Sequence, residues 1–240
     1  MKSLIHRAQV YYRLGIHSCL MIAHYRLRKK SGYFIGKDSI NNKMKEFTKL
    51  PDFDSLSATV SFYFNARIPM NEINWHEDRI NGICISDHDH WSKINLFSDR
   101  GFDIKNIWEL SRFYFAPELA YKYCLTNNCK YLKMLKVLWE NWINSNPYSY
   151  GANWLCGQEV SLRLINVVLS SHLVGLKKDE IFKKEILVQH CERIYQTTYY
   201  AKSQKNNHAL SEAIGLFVGA LYLQENYGEH KDLKKYQKKG

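Results

Sequence analysis

Three neighbouring residues, Asn206, Asn207 and His208, stand at the predicted start of a helix and are the sharpest candidates for chemistry. Asn is a favoured N-cap, because its side-chain oxygen accepts a hydrogen bond from an otherwise unpaired N–H. The structural interpretation is therefore a capped helix followed by a core histidine. The functional interpretation is that an amide and an imidazole at a positive helix end donate hydrogen bonds to a carboxylate. Taken alone, these residues leave both interpretations open.

A second group of candidates combines aromatic rings, acids and bases. Asn153 and Trp154 are followed by Glu159 and Arg163, which are four positions apart and therefore share a helix face. On a solvated surface such a pair is a weak ion pair. If the same face lines a binding groove, its groups become ligands for hydroxyls and carboxylates. The combination recurs upstream in Trp108, Glu109 and Arg112.

Asp87-His88-Asp89-His90 superficially resembles a metal site. Ligands that alternate along a loop are not a recognised zinc pattern, and no Cys or His partner stands at a suitable spacing. The sequence also has no Gly-rich phosphate loop, nucleophile elbow or zinc-protease helix. We therefore expect neither a metal ion nor another cofactor.

Helices must position these candidates. After Asp103 the apolar periodicity predicts helices over about residues 128–144, 154–173, 179–200 and 207–226. The last is apolar nearly all round and is predicted to be buried on most sides. Its remaining stripe holds two ionisable groups, which makes Glu212 a further candidate, and two positions for close approach: His208, Glu212, Gly215 and Gly219. In the first helix one face is predicted to carry Tyr131, Leu135, Leu138 and Trp142.

The region before residue 101 has a different sequence pattern. Residues 1–100 are predicted to form a basic N-terminal helix, over about residues 5–28, and an irregular lead-in with short strands such as 58–64. Residues 101–240 are predicted to form the helical domain. The apolar stretch 14–23 is too short to span a bilayer and lacks a signal-peptide cleavage site. A peripheral amphipathic helix stays an open alternative.

Composition limits the partners without selecting one. The 240 residues include 34 Lys and Arg against 23 Asp and Glu, a formal net charge of +11 that attracts polyanions. Nucleic acid, an anionic membrane and an acidic polysaccharide all fit, and the 17 Tyr and 6 Trp suit sugars and bases alike. The six cysteines show no Cys-x-x-Cys pair, so they are predicted to be mostly free core residues.

Five motifs stand in the order seen in proteins of the heparinase II/III family. Together they cover about residues 70–225, and the ordered set is far more specific than any one motif. They are Asn74-Trp75-His76-Glu77-Asp78; His90-Trp91-Ser92-Lys93-Ile94; Asp103-Ile104-Lys105 with Trp108-Glu109-Leu110-Ser111-Arg112; Gly151-Ala152-Asn153-Trp154 with Gln158, Glu159 and Arg163; and Asn206-Asn207-His208. The chain resembles the N-terminal region of that family.

The resemblance implies a fold and a reaction. The fold is an all-α, incomplete (α/α) toroid of antiparallel helix pairs with an irregular N-terminal lead-in, which precedes a β-sandwich in the intact family. The reaction is β-elimination at a uronic acid, in which neutralising the sugar carboxylate stabilises an enolate-like transition state. By position, Asn207 becomes the candidate carboxylate neutraliser and His208 its partner or proton acceptor. Substrate contacts are expected from Asn206, Glu212, Asn153, Trp154, Glu159, Arg163, Trp108 and Arg112.

The resemblance also sets an expectation for turnover. The catalytic Tyr of the family, like the β-sandwich, is expected to lie beyond Gly240, and neither Tyr222 nor Tyr227 is expected to replace it. This chain is therefore expected to bind an acidic polysaccharide and to turn over little by itself. The family implies a periplasmic or extracellular location, whereas the missing signal peptide argues against it.

Two other functions stay open. One is a non-catalytic module that binds acidic polysaccharide during capsule or exopolysaccharide assembly. The other is a nucleic-acid-binding helical repeat, which rests on charge and rings alone. The resemblance favours a polysaccharide over nucleic acid.

Overall fold

The computed structural model describes residues 9–41, 59–62, 66–95, 102–175, 181–228 and 233–238. Over these residues the fold is all-α and toroid-like, as the family resemblance implies. Its helices are α1 Ile16–Lys30, α2 Tyr33–Asn41, α3 Lys105–Ser111, α4 Phe115–Thr126, α5 Cys129–Ser145, α6 Gly157–Val174, α7 Lys184–Gln204, α8 Asn207–Tyr227 and α9 Leu233–Gln237. Residues 9–14 are also helical, and Gly15 separates them from α1 with a φ of 82°.

Four short strands lie in the lead-in and form two antiparallel pairs. β1 (Thr59–Phe62) pairs with β2 (Ala66–Pro69), and β3 (Glu77–Asp78) pairs with β4 (Ile83–Cys84). In the first pair Thr59 lies opposite Pro69. The predicted strand over residues 58–64 is confirmed for 59–62, while residues 58 and 63–65 lie outside the described part.

The lead-in is tied to the helices that follow. A β-bridge joins His90 to Tyr150, in the loop before α6. Helix α1 lies against α7, where the ring of Tyr25 stacks on that of Tyr200 at 3.9 Å between centroids. The division into a lead-in over 1–100 and a domain over 101–240 stays a prediction.

Helix α6 contacts both α4 and α8, and helix α7 contacts both α6 and α8. The connection from α7 to α8 is only two residues long, Lys205 and Asn206, and Lys205 adopts a left-handed φ of 51°. So short a connection makes α7 and α8 an antiparallel pair.

The core between the helices is rich in tryptophan. The rings of Trp139 and Trp142 stack at 5.5 Å, and Trp142 lies 5.6 Å from Trp154. The predicted inner face of α5 is confirmed, since Leu135, Leu138 and Trp142 are fully buried and Tyr131 is partly buried. A contact within the same segment sets the start of α5, because the Asn128 side chain accepts a hydrogen bond from the Lys130 N–H at 2.9 Å.

The prediction that α8 is buried on most sides is wrong. Its buried side includes Glu212, Gly215, Leu216, Gly219 and Leu223, whereas the large apolar side chains of one predicted face are 40–65% exposed: Leu210, Ile214, Phe217 and Leu221. The reason is close approach. A Cβ at Gly215 would lie 2.6 Å from the Ser161 Cβ, and one at Gly219 would lie 2.7 Å from the Cys191 Sγ. The small side of α8 therefore contacts α6 and α7.

The cysteines follow the prediction in part. All six are unpaired thiols, as predicted. The expected core position is wrong for the three exposed ones, Cys84, Cys124 and Cys129, whereas Cys191 is fully buried. Among the helices described, none combines the length and the apolar character needed to cross a membrane.

Candidate functional site

The first turn of α8 carries Asn206, Asn207 and His208. Asn206 is the N-cap, and its side-chain oxygen accepts a hydrogen bond from the His208 N–H at 3.1 Å, so the predicted cap is confirmed. Asn207 is exposed and His208 is half-buried. Both side chains therefore lie at the positive end of a 21-residue helix and within reach of solvent.

A second helix begins beside them. Helix α6 starts at Gly157 after the extended N-cap residue Cys156, which makes no side-chain capping bond. The Asn207 amide donates a hydrogen bond to Gln158 Oε1 at 3.4 Å, and Cys156 Sγ lies 3.8 Å from His208 Nδ1. We call this group of Cys156, Gln158, Asn207 and His208 the α6–α8 junction. Two helix N-termini meet there, which favours a bound anion.

His208 is suited to accept a proton. Burial lowers the pKa of its imidazole, and the charge of Glu159 opposes that change only in part. The ring is therefore neutral at pH 7. Nδ1 faces the Cys156 thiol, so Nε2 is the ring nitrogen on the side away from that contact.

Arg112 lies between two carboxylates. Its Nε donates to Glu159 Oε2 at 2.5 Å and its second amino nitrogen to Glu159 Oε1 at 3.0 Å, a bidentate pair. The first amino nitrogen donates to Glu109 at 2.5 Å. Both acids outweigh the effect of burial and raise the pKa of Arg112 above its ordinary value. Because this group has a net charge of −1, Arg112 is not free to neutralise a ligand carboxylate.

Arg163 does not pair with Glu159 on a surface, as the four-residue spacing had suggested. Its guanidinium is fully buried, donates to His190 Nε2 at 3.0 Å and lies 4.2 Å from the centre of the Trp142 ring. It also donates to the carbonyl oxygens of Ser111 and Asn153. Burial lowers the pKa of Arg163 to about 9. Arg163 therefore holds the loop before α6 in place from the protein interior.

Three other expected substrate contacts also lie in the interior. Asn153 and Trp154 are 0% and 1% exposed, and the Trp108 indole N–H donates to the Ala152 carbonyl at 2.9 Å. The Asn153 amide donates to Asn146 Oδ1 and to the Trp75 carbonyl. These contacts correct the expectation that Asn153, Trp154, Arg163 and Trp108 touch a polymer directly. Side chains without exposed surface can only hold the loop that leads into α6.

Glu212 lies one turn below His208 and points at the start of α6. A Cβ on Gly157 would lie 2.5 Å from Glu212 Oε1, so glycine is required there to admit the carboxyl group. Glu212 is 3% exposed, and among the described residues its Oε2 has no hydrogen-bond partner. Burial raises the pKa of Glu212 to about 8, although the charge of Arg193 opposes this. Burial likewise raises the pKa of the Cys156 thiol to about 12.

The sequence interpretation did not single out Cys156 and Gly157. The available signal was the segment Cys156-Gly157-Gln158 directly before the Glu159 stripe, in which a glycine follows a small N-cap residue. Nothing local indicated that Gly157 makes room for Glu212, because that side chain lies 55 positions away in the chain.

The histidines of the Asp87-His88-Asp89-His90 segment contact neighbouring side chains. His90 is buried, and its side chain accepts from the Ser92 N–H and contacts Asp38 at 3.0 Å. His88 is exposed beside Asp87. Within the part of the chain that the structure describes, no group of three or more His, Cys, Asp or Glu side chains is placed to hold a metal ion.

Tyr222 and Tyr227 both lie against neighbouring helices. The Tyr222 hydroxyl is hydrogen-bonded to Ser171, and the Tyr227 hydroxyl donates to the Phe182 carbonyl at 3.4 Å. Tyr222 is only 6% exposed. Each hydroxyl is thus engaged with the helix packing.

Comparison with known proteins gives one match. The family model described as Heparinase II/III N-terminus matches residues 20–238. No curated protein and no solved structure matches the chain.

Proposed function

The chain belongs to the heparinase II/III N-terminal family, and from that premise we propose that the α6–α8 junction binds a uronate of an acidic polysaccharide, as part of a protein of the polysaccharide lyase type. The observation that carries the proposal is the position of Asn207 and His208. Both are accessible and lie where the N-termini of two helices meet. A sugar carboxylate is the anion that this arrangement fits.

The proposed chemistry is β-elimination. A base removes the proton from C5 of the uronate, the C4–O bond breaks, and the C4–C5 bond becomes double. The departing glycosidic oxygen takes up a proton, so charge and atoms balance. The C5 proton is weakly acidic while the carboxylate keeps its full charge, and donors on the carboxylate stabilise the enolate-like transition state.

Asn207 and His208 have distinct parts in this proposal. The Asn207 amide already donates to Gln158 through one N–H, and its second N–H is directed to the carboxylate. The His208 ring is neutral because burial lowers its pKa, and in the tautomer with the hydrogen on Nδ1, directed at Cys156 Sγ, it accepts the proton at Nε2. The buried Arg163 acts only by positioning the loop that precedes α6.

The test is an elimination assay on a uronate polymer at high protein concentration and over a long incubation, because this chain is expected to turn over little by itself. Formation of unsaturated sugar ends is followed by ultraviolet absorbance. His208→Ala is expected to slow elimination by about a hundredfold, the usual contribution of a positioned proton acceptor, while the dissociation constant for the polymer changes little. An unchanged elimination rate in both His208→Ala and Asn207→Ala would contradict the proposal. Lys136→Gln, on the exposed face of α5, is the control.

A second candidate function is a non-catalytic module that binds acidic polysaccharide. It is favoured by the engagement of Tyr222 and Tyr227 in helix packing, since neither hydroxyl is placed at the junction. In that case wild type forms no unsaturated ends, and Asn207→Ala changes only the affinity for the polymer.

A further inference from the structure

A cavity of about 320 Å³ lies between α7 and the two N-terminal helices α1 and α2. Its size is near the lower end of the ~300–1,000 Å³ typical of small-molecule sites. It is lined by Arg28, Tyr33, Phe34, Lys37, Tyr195, Gln196 and Tyr199. Gln196 and Tyr199 are five to eight residues before the end of α7, which places the cavity roughly 10 Å along the helix axis from that end.

Gln196 carries the strongest evidence for a ligand. Its side chain is 4% exposed, and its Nε2 is held by a hydrogen bond to Asp38 Oδ1 at 2.5 Å. The other end of the amide, Oε1, is buried and accepts no hydrogen bond within the described residues. A buried acceptor without a donor is unfavourable, so a ligand that donates an O–H there is favoured.

Arg28 and Lys37 are the two cationic side chains in the cavity wall. The Arg28 guanidinium lies 4.4 Å from the centre of the Tyr33 ring, and among the ion pairs of the described residues it has no carboxylate partner. Lys37 is paired with Glu192 at 3.0 Å. Arg28 therefore supplies the positive charge of the wall that the ion pairs of the described residues do not balance.

Flat rings complete the walls. Tyr33, Tyr195 and Tyr199 line the cavity beside the cations. Aromatic faces suit the C–H faces of a pyranose ring. A phosphate ion satisfies the cations but at neutral pH offers the Gln196 oxygen little beyond further acceptors. An uncharged sugar satisfies Gln196 and the rings but leaves Arg28 without an anion.

We propose that this cavity is a second binding site, for one uronic acid unit, with its carboxylate on Arg28 and a ring hydroxyl on Gln196 Oε1. The choice of a uronate among anionic sugars rests on the proposed function of the junction. The site itself rests on the cavity, its cations and the unpartnered amide oxygen. Because the junction lies at the start of α8, beyond the end of α7, the chain then holds two separate uronate sites.

The test is calorimetric titration with a short uronate oligosaccharide in the Asn207→Ala background, which silences the junction. Binding that persists in this background and falls by about tenfold or more in Arg28→Gln Asn207→Ala, the loss expected for a charge-assisted hydrogen bond, supports the cavity. Tyr33→Ala, at a half-exposed ring, is expected to weaken the same binding. Arg67→Gln, an exposed arginine outside the cavity, is the matched control and leaves it unchanged.

Each outcome separates the two sites. If Asn207→Ala abolishes all binding, or if Arg28→Gln and Tyr33→Ala bind as tightly as the background, the cavity proposal is overturned while the junction stands. If Asn207→Ala does not weaken wild-type binding but Arg28→Gln does, the cavity stands and the junction proposal fails. Inorganic phosphate that competes as well as the oligosaccharide identifies a plain anion site and overturns the sugar assignment. Urea unfolding of each variant confirms that it is folded.

Discussion

At the scale of single residues, Glu212 is the ionisable group whose environment departs most from water beside the junction. Its carboxyl group lies against Gly157, and burial raises its pKa to about 8. The charged group that opposes this change is Arg193 on α7. A carboxyl group that is neutral at pH 7 can donate a hydrogen bond instead of repelling an anionic ligand.

Glu212→Gln tests this protonation state. Between pH 4.5 and 8 the folded chain keeps the proton that the unfolded chain releases, so the free energy of unfolding of wild type falls as pH rises. The variant lacks this loss. Its stability relative to wild type is expected to rise by up to about 1.4 kcal/mol per pH unit across that window, measured by urea unfolding. Glu225→Gln, exposed on the same helix, should show no such trend, and a flat difference for Glu212→Gln would refute the buried neutral acid.

The sequence predicted the role of single residues correctly where their partners lie close by in the chain. Asn128 and Asn206 cap the helices that directly follow them, so their type and position sufficed. Arg163 failed because its partners Ser111, Asn153 and His190 lie up to 52 positions away. The four-residue spacing placed Arg163 on the same helix face as Glu159, but it did not indicate that tryptophan rings cover Arg163.

At the scale of elements, the contact of α8 with α6 depends on small residues. Gly215 lies against Ser161 and Gly219 against Leu164 and Cys191, so these positions let the helix backbones approach. The same contact fixes the junction, because Asn207 and His208 begin the helix that Gly215 and Gly219 hold in place.

Gly215→Ala is expected to lower the free energy of unfolding by about 1–3 kcal/mol, since the new Cβ would lie 3.0 Å or less from Ser161 atoms including its backbone Cα. That loss exceeds the gain of about 1 kcal/mol that alanine brings to a helix interior. Gly36→Ala in α2 is the matched control, because a Cβ there meets nothing within 4 Å, and it should be neutral or stabilising. Equal behaviour of the two variants in urea unfolding would show that α8 tolerates a wider separation.

Apolar periodicity predicted that α5 to α8 exist and which face of α5 is buried. It predicted that α8 is buried on most sides, which is wrong, because side-chain hydrophobicity does not show that close backbone approach favours the glycine side of the helix. Leu210 and Phe217 are exposed while two glycines are buried. In α2 the helix lies inside a stretch predicted to be irregular, where flanking turn residues hid the pattern.

At the scale of the whole molecule, Asp38 ties the N-terminal helices to the rest. It is 3% exposed and accepts from Ser149 at 2.6 Å, from Gln196 at 2.5 Å and from His90 at 3.0 Å. Burial alone would raise its pKa, but these hydrogen bonds outweigh burial and lower it. The sequence did not predict this contact, because its partners are 52 to 158 positions away.

Asp38→Asn is expected to destabilise the protein by about 2–4 kcal/mol at pH 7, since an amide presents donors to groups that already donate. The lowered pKa means that the contribution of Asp38 is present above its ordinary pKa of 3.8 and is lost as pH falls through the folded value. The variant should therefore lack that acid-dependent loss. Asp103→Asn, at an exposed carboxylate, should change stability by less than about 0.5 kcal/mol; a similar result for Asp38→Asn would contradict the role of this residue.

The most direct test of the uronate-binding junction is the affinity of wild type and Asn207→Asp for a uronate oligosaccharide and for its carboxyl-reduced, neutral counterpart. The substitution keeps the shape of residue 207 and replaces its donor by a negative charge. Asn207→Asp is predicted to weaken binding of the uronate ligand by about tenfold or more, as expected for loss of a charge-assisted hydrogen bond, and to leave binding of the neutral ligand almost unchanged. Equal affinities of both proteins for the uronate ligand would contradict the assignment of the junction.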